Sequence, residues 1–173
     1  MVSELESMIR GEHSKLQTNK IIAWVGKDQK KFDELVRLFL TGDYDVSQRS
    51  GWPMSTIVSF HPEMVGKHLK QIVENLEIPG RHVAVKRNTV RLLEYITVPE
   101  TLQGQVMNMC FKMIEDPKEA IAVKASALTI LGNLSGPFPE ILPELQMIIR
   151  SRWDQETAAF RSRGKKILGK SFS

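Results

Sequence analysis

The chain has 173 residues, with 24 Lys and Arg against 20 Asp and Glu, and a formal net charge of +4. Hydrophobic residues make up 42% and charged residues 25%, which excludes a disordered, collagenous or low-complexity chain and suits one domain. No apolar run nears the ~18 residues of a membrane span, the first residues lack the apolar core of a secretory signal, and Cys110 is the single cysteine, so the expected setting is a reducing cytoplasm with no membrane partner.

In chain order, residues 1–27 predict an N-terminal cap helix, in which Ser14, Thr18, Ile21, Ile22 and Val25 weakly follow the pattern of later helices. Residues 28–61 predict a first helix pair. Phe32, Leu35, Val36 and Phe39 form one face of its first helix, and Val46, Ser50, Pro53, Met54 and Ile57 one face of its second. Pro53 removes an amide donor and crowds the preceding turn, so this second helix is expected to kink or break near Gly51-Trp52-Pro53.

Residues 62–98 predict the next pair, with Leu69, Ile72, Val73 and Leu76 on one helix and Val85, Thr89, Leu92, Leu93 and Ile96 on the other. In residues 99–136 the same places are taken by Val106, Met109, Cys110 and Met113, then by Val123, Ala127, Ile130, Leu131 and Leu134. Residues 137–173 close the series with Leu145, Ile148 and Ile149, then Phe160, Gly164, Ile167, Leu168 and Ser171.

These offsets trace one face of a helix of 3.6 residues per turn. Second-helix origins Val46, Val85, Val123 and Phe160 lie 39, 38 and 37 residues apart, which makes the chain a repeat with a period near 38. The fourth residue after each origin is small (Ser50, Thr89, Ala127, Gly164), as close helix packing demands. Gly and Pro punctuate the helix ends at Thr41-Gly42-Asp43, His61-Pro62, Ile78-Pro79-Gly80, Val98-Pro99 and Ser135-Gly136-Pro137. No stretch alternates with period two, and no sheet is expected.

A two-helix unit of this length, with Val-Lys/Arg-x-x-small early in its second helix, resembles the HEAT and armadillo-like repeats. Val85-Lys86-Arg87-Asn88-Thr89, Val123-Lys124-Ala125-Ser126-Ala127 and Phe160-Arg161-Ser162-Arg163-Gly164 carry the likeness, whereas Val46-Ser47-Gln48-Arg49-Ser50 lacks the base. The resemblance implies an all-α fold, a right-handed α-α superhelix or solenoid of about four helix pairs over residues 28–171, with the cap helix in front. Trp24-Val25, Trp52 and Thr157-Ala158-Ala159-Phe160-Arg161 also resemble a group of small bacterial HEAT-like proteins of unknown role, some of which carry an adenylosuccinate lyase label. The Gly-Ser-Ser-x-Met-Pro-x-Lys-x-Asn loop of the fumarase-type lyases does not occur in this chain.

The residues with chemical capability are scattered. His13, His61, His68 and His82 form no His-Glu-x-x-His pair, and one cysteine makes no zinc set, so no metal and no cofactor is expected. Cys110 lies mid-helix between Met109 and Phe111 and reads as packing rather than as a nucleophile. Neither a Gly-x-Ser-x-Gly elbow nor a phosphate-binding Gly-Lys-Ser/Thr loop is present, and the chain is expected not to be an enzyme. Trp24, Trp52 and Trp153 read first as packing residues, with Trp52 alternatively lining a groove beside Pro53.

Charge is the strongest functional signal. Residues 150–173 hold seven basic and two acidic residues, whereas residues 1–149 hold 17 basic and 18 acidic ones. The second helices carry Lys86, Arg87, Arg91, Lys124, Arg161 and Arg163, and Lys165 and Lys166 follow. In the repeats this chain resembles, second helices line the concave side, which makes this series a candidate ladder for an acidic partner. The favoured reading of the ladder is structural: the base after each Val ties repeats together through a carboxylate such as Glu115, Asp116, Glu119 or Glu156. The basic C-terminal cluster likewise reads either as a solvated helix end or as a binding patch.

The expected function is a non-enzymatic protein-interaction or scaffold module that holds an unknown protein partner on the concave face. The alternative is weak, non-specific nucleic-acid binding through the basic groove and the C-terminal helix. A lyase true to the family label ranks last. The binding candidates are Lys86, Arg87, Arg91, Lys124, Arg161, Arg163, Lys165, Lys166 and Trp52.

Overall fold

A computed structural model describes residues 2–80 and 82–169. All of its regular structure is helical, and no strand occurs among the described residues. Among the described residues ten α-helices run α1 (Glu4–Gly11), α2 (Lys15–Val25), α3 (Gln29–Thr41), α4 (Tyr44–Phe60), α5 (Leu69–Asn75), α6 (Val83–Leu93), α7 (Glu100–Glu115), α8 (Ile121–Leu134), α9 (Leu142–Arg152) and α10 (Ala158–Leu168). Short 3-10 turns cover Pro62–His68, Pro139–Ile141 and Trp153–Gln155. The chain divides into two units, Met1–Thr97 and Val98–Ser173.

The helices start where polar side chains can take up unpaired amides. Ser3 accepts from the Glu6 amide at 3.1 Å and Ser14 from the Gln17 amide at 3.1 Å. Asp28, Asp43 and Thr157 do the same for α3, α4 and α10. The Ser14 cap splits the expected single cap helix into two, with Leu5 and Ile9 of α1 and Ile21 and Val25 of α2 buried. The segment expected to be one helix near Leu69 is also divided: Pro62–His68 winds as a 3-10 turn before α5 continues.

In the first unit α4 is central and packs on α1, α2, α3 and α6. It runs unbroken through Pro53, so the expected break is absent. An internal proline costs about 3 kcal/mol of helix stability. Met54, Ile57 and Val58 are buried just beyond it. Each such side chain contributes about 1.5–3 kcal/mol on burial, so packing outweighs the local cost. Where α4 meets α6, Gly51 lies so close to Asn88 that a Cβ there would overlap its side-chain amide.

In the second unit α8 packs on α7 and on α10, and α10 also packs on α9. The period-38 faces supply the cores of both units. Phe32, Leu35, Phe39, Val46, Ile72 and Leu92 are buried in the first, and Val106, Cys110, Val123, Leu131, Ile149 and Phe160 in the second. All four small positions, Ser50, Thr89, Ala127 and Gly164, are buried. Leu76, Ile96, Met109 and Ile167 are only half-buried, and Ser171 lies outside the described residues.

Candidate functional site

The basic surplus of the sequence falls on α9, α10 and the turn between them. Thr157 begins α10 by accepting the Phe160 amide at 3.3 Å. Phe160, Gly164 and Leu168, four residues apart, turn inward and are buried. A Cβ on Gly164 would lie 2.9 Å from Ile149 Cγ2 and 3.4 Å from Trp153 Cζ3, so the missing side chain is what lets α10 approach α9. Lys165 and Lys166 stand in the last turn, where the helix dipole favours cations.

Beneath this surface lies an ion cluster. Lys124 Nζ donates to Glu156 Oε1 at 2.8 Å, and Arg152 donates to the same oxygen through Nε at 2.9 Å and Nη2 at 2.7 Å. Arg152 Nη1 also donates to the Glu115 carbonyl, at 3.0 Å, which ties the end of α7 to the end of α9. Lys124 and Glu156 side chains are 6% and 5% exposed. Burial alone would raise the Glu156 carboxyl, but the hydrogen bonds and charges of Lys124 and Arg152 outweigh it and hold the pKa below the usual glutamate range. Lys124, a candidate ladder residue, is therefore buried inside an ion pair and presents no charge to a partner. Of the four carboxylates offered by the sequence for such a tie, Glu156 is the one that Lys124 meets.

The remaining cations of α10 border two clefts. One, of 410 Å³, is lined by Trp153, Ala158, Arg161, Ser162 and Lys165. The other, of 380 Å³, has Thr129, Asn133, Ser135, Arg163 and Lys166 among its walls. Arg163 Nη1 donates to Thr129 Oγ1 at 2.7 Å, which fixes its guanidinium across the second cleft. Neither lining contains a carboxylate. Lys165 and Lys166 are exposed, and Arg161 and Arg163 are half-buried.

The other candidates lie on the first unit. Arg87 and Arg91 are exposed one turn apart on α6, and Lys86 beside them is half-buried. Trp52 on α4 is 36% exposed. Trp24 is half-buried rather than core: its indole donates to Glu4 at 3.2 Å, and Lys31 Nζ lies 4.1 Å from its ring centroid. Trp153, read as packing, packs on Gly164 and also walls a cleft. Its signal in the sequence is the pair of small residues Ala158 and Ser162, one turn apart, beside Arg161 and Lys165.

Other titratable groups are tied into the scaffold. Asp33 accepts from Gln29 Nε2 at 2.8 Å, from Lys67 Nζ, and pairs with His68 Nε2 at 2.7 Å, fastening α3 to the 3-10 turn after α4. Burial opposes ionisation of Asp33, but these partners prevail and hold its carboxyl far below the usual aspartate range. Cys110 is buried, and burial pushes its thiol up to about 12.

Residues 5–171 match the family described as the HEAT repeat domain, and the chain belongs to that family. No curated protein and no solved structure matches. No described helix is long and apolar enough to cross a membrane.

Proposed function

We propose that this chain is a non-enzymatic interaction module whose helix pairs form a scaffold for a protein partner. The family supports a repeat scaffold. The observation that carries the reading is the fate of the groups able to do chemistry. Glu156 and Lys124 neutralise each other in the interior, Asp33 is bound by three donors, and the Cys110 thiol is buried. These residues build the scaffold. Recognition falls to exposed side chains such as Arg87, Arg91 and Trp52 on the second helices α6 and α4. The finer form of the proposal is an array of about four pairs whose second helices carry the partner surface, working in a reducing cytoplasm.

Affinity capture by the tagged chain from its native host, with and without nuclease, tests the reading. A protein that stays bound after nuclease treatment, and is released when Arg87 and Arg91 become Glu, is the expected result. Loss of all captured protein on nuclease treatment would refute it. Turnover of adenylosuccinate by the pure chain would refute the non-enzymatic part.

A further inference from the structure

We propose that the Trp153 flank of α10 binds single-stranded nucleic acid, with a base stacked on the indole and phosphates held by Arg161 and Lys165. This activity goes beyond the protein-scaffold reading and does not depend on it.

The argument begins with helix geometry. Ala158, Arg161, Ser162 and Lys165 are spaced 0, 3, 4 and 7 along α10 and so share one face. The two small residues open a cleft of 410 Å³ against Trp153, and the two cations flank it. An aromatic wall, small residues and paired cations are the chemistry of a nucleotide site, because a base needs a flat apolar platform and its phosphate needs donors.

The opposite flank of α10 repeats the donor half of this chemistry. Thr129, Asn133 and Ser135 bring hydroxyl and amide groups to Arg163 and Lys166. The two flanks together give one helix a double row of donors without a carboxylate, which complements an anion that repeats along a chain. The buried Glu156 does not weaken this field, since Lys124 and Arg152 already neutralise it.

The aromatic wall decides the class of polyanion. An acidic peptide satisfies the cations but makes no use of the indole. A duplex offers phosphates but keeps its bases stacked inside. A single strand satisfies both parts of the cleft.

The experiment uses the full chain and a fluorescent oligothymidylate of about 20 nucleotides, a length that covers a typical single-strand site. Binding is measured from about 50 to 200 mM salt, where phosphate contacts weaken strongly. A duplex of the same length and polyglutamate serve as competitors. The expected result is binding of the single strand that weakens with salt. Arg161→Gln with Lys165→Gln should reduce the log–log salt slope by about 1.4, for two lost contacts at about 0.7 each on single strands. Trp153→Ala should lower affinity by roughly 5- to 150-fold while leaving the slope unchanged.

Because Trp153 packs on Gly164, Trp153→Phe provides a ring-preserving variant. It should keep most of the affinity. Three results would each overturn the proposal: no binding of the single strand at about 50 mM salt, a duplex that competes as well as the single strand, or polyglutamate that competes better. All three leave the nuclease-resistant protein capture untouched, so the two readings fail separately.

Discussion

Gly164 and Gly104 show how one residue type has opposite meanings in two places. Around Gly164 a methyl would press on Ile149 at 2.9 Å, whereas around Gly104, at an exposed position of α7, nothing lies within 4 Å. Gly164→Leu should therefore cost about 1–3 kcal/mol through overpacking. Gly104→Ala should add about 0.5–1 kcal/mol by lowering the entropy of the unfolded chain. Thermal melts of the two variants check both signs. The close approach at Gly164 was legible in the sequence, because a small residue recurs at the same offset after Val46, Val85, Val123 and Phe160. That Lys124 pairs within the scaffold was the favoured reading of its place after Val123, but its partner was not legible, since spacing names the base and several carboxylates and not which of them folds against it.

Glu156 makes a prediction about acid. Its folded pKa lies below its unfolded value, near 4.5, so its contribution to stability is complete above that value and is lost as pH falls through the folded pKa. At neutral pH Glu156→Gln should cost about 3–5 kcal/mol, because it leaves Lys124 buried without its counter-charge. The gap between wild type and variant should close on acidification, which melting curves across a pH series would reveal. Asp33 in the first unit has the same sign, so acid weakens both units.

At the scale of elements, the long periodic helices were readable and the short or punctuated segments were not. The faces of α3, α4, α6, α8 and α10 follow from repeated apolar spacing, and burial of those faces fixes them. The splitting of α1 from α2 depends on a single cap, and eight residues make too weak a periodic signal to mark a helix. That α4 continues through Pro53 without a break was not legible, because the helix is surrounded by partners and tertiary contacts decide there. The place of Trp153 on a cleft wall was not legible, since it lies in a 3-10 turn, off the register of both neighbouring helices. Thr157→Ala removes the cap of α10 and should cost about 1 kcal/mol. Thr157→Ser should restore most of it, and urea unfolding of the two variants would show the difference.

For the whole molecule, far-UV circular dichroism should fit a helical spectrum with no sheet component, as the described residues hold no strand. The charge asymmetry also has a physical outcome: the surplus of cations in residues 150–173 makes retention on a polyanionic column depend on salt far more than a net charge of +4 spread evenly would. In the second unit, the cluster at Glu156 has a mechanical consequence. It gathers the last carbonyl of α7, the first turn of α8, the last residue of α9 and the approach to α10 into a single rivet. A bundle riveted at one pole frays from the other. Among the amides bonded within α10, which begin at Arg161, hydrogen exchange should be slowest at the start and quicken toward Leu168, and loosening the rivet with Glu156→Gln should level that gradient.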